Sequence, residues 1–467
     1  MNFRSIYQTI KVIIVQLACL FLAFATCANG QQVGWNYLPS VLEQIKPPSF
    51  PMVEYDIVDF GAKGDGVTNC RFSIQAAIDT CHLKGGGRVI VPEGEFLTGA
   101  IELKSNVNLH IAPKSILRFS RNYDDYLPVV YTRFEGVECM NYSPFIYAAN
   151  AENIAITGSG LLDGNADDET WWHWCGSIEY GWNENLICQK NDRDSLFQMA
   201  EDHIPVEERI FGKGHHIRPN FIQFYRCENI LIDSINIIHS PMWEIHPVLS
   251  QNITIQNVHI QSHGPNNDGC NPESSKNVLI KNCYFDTGDD CIAIKSGRNA
   301  DGRRINVASE NIVIQDCTMK DGHGGVVIGS EISGGCHHVF AENCVMDSPH
   351  LERVLRIKTN SLRGGVVEDI YMRNIEVSEV TDAILRVNFN YERGDVGEFT
   401  PIVRNIFMDH VNSKRSNYAI YLDAYKRSPI TGIYLSFCRF DGVSNGNLIN
   451  HVKDLKLKNV QINGQYQ

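Results

Sequence analysis

Four short polar clusters lie within an otherwise apolar stretch of the chain between residues 266 and 358. They read Asn266-Asn267-Asp268, Asp289-Asp290, Gly322-His323-Gly324 and Arg356-Ile357-Lys358. Carboxylates, an imidazole and two cations are costly to bury, so they must be paired or used in chemistry. If the clusters meet in space, three acids, one histidine and two cations share one surface.

Such a set suits acid–base chemistry. Glycoside hydrolysis needs a protonated carboxyl at the leaving oxygen and a second carboxylate that activates water or attacks. Three clustered acids oppose one another's ionisation, so we expect one of them to stay protonated. Each cluster alone is a weak signal, because Asp-Asp after Thr-Gly and Gly-His-Gly are most often turns. Arg-x-Lys alone is most often an exposed strand face. The elements that position the clusters therefore decide the interpretation.

A repeat runs through the chain from Asn153 onward. Each unit opens with alternating apolar and polar residues, which is the period of a strand. From Asn229 the steps between starts are 23, 25, 34, 27, 31, 36, 27 and 22 residues. Repeats of this size indicate a solenoid, a propeller or an array, and the uneven steps favour a solenoid. The units begin at Asn153-Ile154, Asn229-Ile230, Asn252-Ile253, Asn277-Val278, Asn311-Ile312, His338-Val339, Asp369-Ile370, Asn405-Ile406, Gly432-Ile433 and Asp454-Leu455.

The sixth position after each start is small and apolar, as an interior column of stacked coils requires. Cysteines at this position are interpreted as small buried hydrophobic residues rather than as disulfides. We therefore predict an all-β fold, a single right-handed parallel β-helix. The asparagines that open the units are expected to form a stacked side-chain ladder at the turn, and exposure to solvent is the alternative. The column holds Val258, Cys283, Cys317, Cys344, Ile375, Val411, Cys438 and Val460.

Stacking brings the polar clusters together. Asp268 lies 16 residues after its unit start, Asp289 lies 12 and His323 lies 12. Arg356 and Lys358 lie 18 and 20 residues after theirs. Because turn lengths differ by a few residues, these offsets place all the clusters on one face of four neighbouring coils.

The segments around the repeat have predicted roles of their own. Residues 1–28 resemble a signal peptide, with an apolar stretch followed by small residues, and a membrane anchor is the alternative. Residues 29–467 form the predicted β-helix domain, and the helical spacing of residues 70–81 predicts a short N-terminal capping helix. Residues 163–219 interrupt the repeat and are interpreted as a loop excursion that bounds one end of a cleft.

Composition limits the function classes. The net charge of −13 argues against nucleic acid as a partner. An acidic polysaccharide can still bind where cations are concentrated locally. Two of the 15 cysteines, Cys19 and Cys27, fall in the signal, and no C-x-x-C pair indicates a zinc site. We expect no cofactor, no metal and no stable membrane association, and we expect a secreted monomeric glycoprotein of the cell wall.

The four clusters resemble the signatures of the polygalacturonases, the pectin-degrading family 28 of glycoside hydrolases. NND at 266–268, GDD at 288–290, GHG at 322–324 and RIK at 356–358 match the family's motifs in order. FGAKGDG near the N-terminus and SPMWEIHP at 240–247 are also similar. Two departures are minor: Asn267 stands where threonine is common, and NCRFS at 69–73 lacks the usual acidic residues.

The resemblance implies roles for these residues. It assigns Asp289 as general acid, and Asp268 and Asp290 as the residues that hold the attacking water, with inversion at the anomeric carbon. His323 would tune the acid, and Arg356 with Lys358 would bind a uronate carboxylate. Further candidates for substrate binding are Asn266, Lys295, Arg298, Trp243 and His246; the two cations among them are alternatively surface charges, and the two rings alternatively packing.

Other functions fit the same fold. A pectate lyase would cleave by β-elimination with calcium held by acidic residues. A pectin-binding β-helix would show no turnover. Among hydrolases, an exo-acting galacturonosidase and enzymes acting on rhamnogalacturonan or xylogalacturonan are alternatives to hydrolysis of α-1,4-galacturonosidic bonds in polygalacturonan.

Overall fold

Alternating apolar side chains build the first of three ladders of parallel strands in this computed structural model, which describes residues 34–467. Ile154 pairs with Ile230, and Ile230 pairs with Ile253, so the predicted register is confirmed. The same register continues to Leu455. The strands of the first ladder are Glu54–Asp56, Gly87–Val91, Val107–Ile111, Glu152–Thr157, Glu228–Asp233, Gln251–Gln256, Lys276–Lys281, Ser309–Gln315, Cys336–Glu342, Val366–Val377, Ile402–Ser413, Ile430–Ser436 and Val452–Lys458.

The second ladder follows each first-ladder strand after a short bend. The long strands Val366–Val377 and Ile402–Ser413 run through both ladders. A final antiparallel strand, Gln465–Tyr466, pairs with the last member. The other strands of the second ladder are Asp65–Asn69, Gly94–Thr98, Ser115–Phe119, Leu161–Asp163, Asn236–Ile238, His259–Ser262, Tyr284–Thr287, Thr318–Asp321, Val345–Met346, Arg439–Phe440 and Gln461–Ile462.

The third ladder completes each coil. Single bridges through Cys270 and Glu273 join its two parts, so the ladder is continuous along the site. The three ladders form a right-handed parallel β-helix, which confirms the predicted all-β fold. The strands of the third ladder are Ile101–Glu102, Ile146–Ala149, Ile222–Tyr225, Ile245–Val248, Ile292–Ile294, Val326–Gly329, Arg353–Lys358, Ala383–Asn388, Tyr418–Asp423 and Leu448–Asn450.

The sixth-position column lies in the interior. Cys283, Cys317 and Cys344 are at most 2% exposed, and the thirteen cysteines of the described chain are all free thiols. Each of the three thiols donates to the carbonyl two residues before it, at 3.3 to 3.4 Å. The interpretation of this column as packing is therefore confirmed.

The leading asparagines have a conformational reason. Asn229, Asn252 and Asn311 have φ values of 57°, 55° and 57°, the left-handed region that asparagine tolerates better than most residues. Their amides also bond along the stack: Asn229 donates to Asn153 at 3.0 Å, and Asn252 donates to Asn229 at 3.2 Å. The side-chain ladder is thus present.

Helices are few in the described part of the chain. The predicted capping helix spans Arg71–Leu83, and it buries Ile74, Ala77 and Ile78 in the main core while leaving Phe72 exposed. The remaining α-helices are Leu38–Leu42, Lys190–Glu201 and Asn299–Ile305, and the 3₁₀-helices are Trp35–Tyr37, Ile57–Phe60, Tyr123–Tyr126, Trp172–Cys175, Ile178–Tyr180 and Val206–Glu208. None of the described helices is long and apolar enough to span a bilayer.

The predicted loop excursion has structure of its own. Between Asp163 and Ile222 the chain forms the helix Lys190–Glu201 and the strand Ile210–Phe211, which joins an antiparallel hairpin of Val130–Phe134 and Val137–Asn141. These elements enclose a small second core that includes Trp243. Residues 34–37 belong to a separate N-terminal unit, and the predicted signal lies outside the described residues.

Candidate active site

The predicted acids and the histidine lie in the turns that join the second ladder to the third. Backbone bonds stack these turns: Asp289 N donates to Asn267 O at 3.2 Å, and His323 N donates to Asp289 O at 3.1 Å. Gly269 N donates to Asp290 O at 3.0 Å. Successive coils thus present their polar clusters at one corner of the solenoid, although the turns differ in length.

Gly322 permits the closest of these contacts. Its φ is +139°, and a Cβ there would lie 2.3 Å from the carbonyl oxygen of Asp289. Only glycine fits such an approach between backbones. The glycine before His323 therefore lets the imidazole lie directly beside Asp289.

Members of all four clusters line one cavity of about 260 Å³, whereas Asp290 is fully buried and is not among the lining residues. Asp268, Asp289 and His323 come from three turns, and Arg356 and Lys358 come from the strand Arg353–Lys358. The other lining residues are Glu135, Arg193, Trp243, Asn266, Lys295, Ser330, Glu331, Tyr391 and Glu392.

Asp289 and His323 form a hydrogen-bonded pair. Nδ1 of His323 lies 2.9 Å from Oδ1 of Asp289. Burial opposes ionisation of Asp289, but the hydrogen bond and charge of His323 outweigh burial and hold the pKa of Asp289 well below its usual range. The same hydrogen bond raises the pKa of His323 to about 9. The pair therefore holds one proton, which lies on the imidazole in the unliganded site.

Asp268 is the acid whose surroundings most oppose ionisation. Its side chain is buried, and Nδ2 of Asn271 donates to its Oδ2 at 2.6 Å. Burial, reinforced by the charge of Asp289, raises the pKa of Asp268 well above its usual range. Nζ of Lys295 lies 3.6 Å from Oδ2 and opposes this shift without overcoming it.

Asp290 is fully buried between two cations. Nζ of Lys358 donates to its Oδ2 at 2.8 Å, and Nη1 of Arg356 donates to its Oδ1 at 3.3 Å. Both cations also lie over the ring of Tyr391, with Lys358 Nζ 5.5 Å from its centroid. The predicted carboxylate binders are thus ion-pair partners of a catalytic candidate as well.

Lys295 and Arg298 are not surface charges, so that interpretation was wrong for both. Lys295 is 3% exposed, and its Nζ lies 3.2 Å from Glu331 and 4.5 Å from the ring centroid of Trp243. Arg298 Nη1 lies 3.4 Å from Glu331. Glu331 is the acidic partner of both cations, and this residue was not predicted.

The rings of the SPMWEIHP segment separate into two environments. Trp243 lines the cavity, as a sugar subsite requires. His246 does not, and the prediction that it contacts substrate is corrected: its ring is fully buried, and Nε2 lies 2.7 Å from Glu273. Its Nδ1 lies 2.9 Å from the amides of Asn220 and Gln223, so both ring nitrogens have partners.

Asn266 and Asn267 have different tasks. Asn266 lines the cavity, and its Oδ1 accepts from Arg218 at 2.6 Å. Asn267 is fully buried, and its amide bonds the backbone of Gly264 and Ser240, so it fixes the turn that presents Asp268. Asn267, which stands where threonine is common in the family, therefore supports the backbone of the site and does not line the cavity.

Comparison with known proteins agrees with this geometry. Residues 209–464 match the model of glycosyl hydrolases family 28. The chain belongs to this family. It is therefore a glycoside hydrolase, which confirms the enzyme class over the lyase and the non-catalytic binder. Residues 55–177 also match a model described as rhamnogalacturonase A/epimerase, pectate lyase-like.

Individual relatives extend the comparison. A probable polygalacturonase of Vitis vinifera is 28% identical, over 92% of this chain and 81% of the relative. An exo-poly-alpha-D-galacturonosidase of Dickeya chrysanthemi is 29% identical, over 74% of this chain and 59% of the relative. The solved structure of a hyperthermoactive exopolygalacturonase from Thermotoga maritima is 47% identical, with a TM-score of 0.90, over 92% of this chain and 96% of the other.

Proposed function

We propose that this glycoside hydrolase cleaves α-1,4-galacturonosidic bonds in polygalacturonan. The observation that supports this most directly is the single cavity lined by carboxylates, an imidazole and cations. The names of the relatives in grapevine, Dickeya and Thermotoga point to the same substrate. An uronate polymer is anionic, so a cavity for it needs local cations, and Arg356, Lys358 and Lys295 provide them.

In this proposal Asp289 is the general acid and His323 supplies its proton. A bound uronate adds negative charge beside Asp289, which disfavours the ionised carboxyl. The proton held on His323 then moves to Asp289 and on to the leaving oxygen. His323 thus tunes the acid by storing its proton.

Water is held on the other side of the site. Asp290, which the resemblance pairs with Asp268 as a holder of the attacking water, is the carboxylate proposed to accept the water proton, and Arg356 and Lys358 hold it in place. Asp268, which lines the cavity and whose pKa is raised by burial, orients the water by a hydrogen bond. Attack by a separate water inverts the anomeric carbon, for which the acid and base carboxyls need a separation of about 6.5–9.5 Å.

Substrate specificity is proposed to come from Arg356 and Lys358. Each makes one hydrogen bond to Asp290, which leaves further N–H groups for the substrate. Asn266, Trp243 and Tyr391 complete the sugar contacts from the remaining walls of the cavity. A free carboxylate is favoured over its methyl ester, because the ester has no charge to pair.

The test is the product formed from polygalacturonate. We expect new reducing ends without an ultraviolet-absorbing unsaturated product, and proton NMR of the first product should show the inverted anomer. Asp289→Asn should lower turnover by roughly 10²–10⁴ and leave the fold intact. Wild-type turnover in this variant, or an unsaturated product, would contradict the proposal.

Exo-acting cleavage is a second candidate. The excursion supplies Arg193 to the wall of the cavity, and the hairpin turn supplies Glu135, so the site is bounded by elements outside the coils. The 47% identical structure is that of an exopolygalacturonase. Chromatography of early digests distinguishes the modes: one short product indicates exo cleavage, and a ladder of lengths indicates endo cleavage.

The cellular setting is also a proposal. The apolar stretch Val12–Ala28 within the predicted signal and the polymeric substrate support secretion to the cell wall as a monomeric glycoprotein. Expression of the full chain should place activity in the medium, with a mature N-terminus after Ala28 or Gly30, and light scattering should give the monomer mass.

A further inference from the structure

A histidine and two aspartates meet on the outer face of the second ladder, and none of them lines the catalytic cavity. His263 follows one strand of that ladder, Asp286 lies within the next strand, and Asp321 ends the one after. One ring nitrogen and one oxygen of each carboxylate lie within 4.8 Å of one another. The three residues come from successive coils and are far apart in the sequence, so their spacing indicated no metal site and none was expected.

A β-bulge places the second aspartate of this group opposite the first. Phe285 pairs with Met319 in regular register. The next pair joins Asp286 to Asp321, so Lys320 is an extra residue in its strand. Without the bulge Lys320 would stand opposite Asp286 as a counter-charge, whereas its Nζ donates to a backbone carbonyl of the following coil at 2.5 Å. A bulge re-aims side chains, and this one sets two carboxylates side by side.

The structure describes no lysine or arginine partner for either carboxylate. Among the described residues, His263 alone brings a basic nitrogen within 4.0 Å: its Nε2 lies 3.0 Å from Asp286 Oδ1, and its Nδ1 lies 4.0 Å from Asp321 Oδ2. Each carboxylate also accepts one neutral hydrogen bond, from Gln261 at 3.3 Å and from the N–H of Gly322 at 2.8 Å. Like charges opposite each other on neighbouring strands repel, so this pair needs a cation.

The donor set fits a divalent ion of the first transition row. Zinc binds imidazole nitrogen and carboxylate oxygen at about 2.0–2.2 Å, so its donor atoms lie roughly 3–4 Å apart, which small side-chain rotations reach from the present positions. The ring of His263 is 47% exposed, which leaves room for water as a further ligand. A histidine ligand disfavours calcium and magnesium, which take oxygen ligands.

A second group of possible ligands lies on the first ladder, where Glu310 meets His337 and His338. Its charges already have partners, because Glu310 lies 3.4 Å from Nζ of Lys276 and His338 lies 3.7 Å from Asp369. This group therefore serves as a comparison for the first one.

We infer that His263, Asp286 and Asp321 together bind one divalent first-row metal ion, for which zinc is the probe. The ion joins three successive coils where the turns that carry the catalytic acids and the histidine begin. It therefore fixes this corner of the solenoid from outside, without contact with the substrate cavity. The inference is independent of the proposed function, because the ion binds without substrate.

The test titrates zinc into the untagged, metal-free protein, with calorimetry and scanning fluorimetry as readouts. Substrate is left out, because the carboxylates of a polyuronate bind divalent ions themselves. We expect one zinc ion per chain and a higher melting temperature with zinc, whereas calcium should give neither. His263→Gln and Asp321→Asn should each lower the zinc affinity by more than the roughly 10–100-fold that the loss of an outer-shell partner costs.

Two histidine variants are matched controls. His410 lies 2.8 Å from Asp409 as an exposed pair outside the groups of three possible ligands among the described residues, and His337 belongs to the second group. His410→Gln and His337→Gln should keep the zinc affinity and the thermal shift. Because the ring of His263 is exposed, His263→Gln should fold, and circular dichroism checks this. Unchanged affinity in His263→Gln, an equal thermal shift with calcium, or lost affinity in His337→Gln would overturn the inference and leave the group as an ion pair.

Discussion

One proton shared by two side chains is central to the proposed reaction. Asp289 and His323 lie 2.9 Å apart, and their pKa values shift in opposite directions. The sequence resemblance assigned Asp289 as the acid, whereas in the unliganded site the pKa of Asp289 is lowered by His323 and that of Asp268 is raised by burial. Binding of an anionic substrate resolves this difference for Asp289, because a nearby negative charge favours its protonated form, which the general-acid role requires.

The His323 pair predicts a pH dependence of stability. The pKa of His323 is about 9 in the folded chain, above the value of roughly 6.5 in an unfolded chain. The folded state therefore binds this proton more tightly, and the stabilisation is complete below about pH 6.5 and is lost as the pH rises through about 9. The ring is 48% exposed, so solvent screening reduces the effect.

Urea unfolding of the wild type and of His323→Gln between about pH 6 and about pH 9 checks this prediction. The wild type should lose stability over this window, and the variant should lose less. Equal slopes in the two proteins would show that the pair does not store a proton in the folded state.

Arg356→Lys should damage the enzyme although it conserves charge. A guanidinium can bind Asp290 and a substrate carboxylate at once through separate N–H groups, whereas an ammonium offers a point charge. We expect a loss in kcat/KM on polygalacturonate, and a rise in KM alone would indicate uniform binding. Arg386→Lys is the matched control. Arg386 occupies the position equivalent to Arg356 on the neighbouring strand of the ladder, one coil beyond the cavity. An unchanged preference for free acid over methyl ester would place the subsite elsewhere.

At the scale of elements, the thiol column contributes to stability. Cys317 is 1% exposed, and its Sγ lies 3.3 Å from the carbonyl of Gln315. Cys317→Ala should lower the free energy of unfolding by about 1 kcal/mol, because it removes a small buried group. Denaturant titration measures this, with the less buried Cys188→Ala as control. A change equal to that of the control would contradict the packing role.

The ladders could be predicted from sequence because every coil repeats the same requirements. The Asn-Ile starts give the register of the first ladder, and that register brings Asp268, Asp289 and His323 to one corner. A second left-handed position five residues after each start, as at Asn257 and Asn282, was visible in the sequence but was not interpreted.

Elements outside the repeat could not be predicted in the same way. The helix Lys190–Glu201 lies in an excursion without a period, so its position beside the cavity follows from tertiary packing alone. The roles of Glu331 and Tyr391 could not be predicted either, because the residues that they contact come from neighbouring coils. His246 was assigned to the substrate site because it lies close to Trp243 in the sequence. The sequence does not show that the ring of His246 is buried.

At the scale of the molecule, each coil contacts mainly its neighbours, so the ends of the solenoid need protection. The strand Gln465–Tyr466 pairs back onto Gln461–Ile462 and covers the last coil. Removal of residues 460–467 should lower the melting temperature and promote self-association, because it exposes strand edges. Turnover per folded molecule should stay constant, since the cavity lies several coils away. Scanning fluorimetry and light scattering check this, and an unchanged melting temperature would refute a protective role.

The turns that hold the reactive groups vary in length while the ladders keep their register. Residues 263–269, 288–291 and 322–325 connect the second ladder to equivalent positions of the third with seven, four and four residues. The scaffold therefore tolerates insertions at this corner without moving any strand to a new partner. Such a molecule is suited to diversification and to engineering: a corner transplanted from a relative should change which glycan is accepted while the ladders beneath it keep their hydrogen bonds.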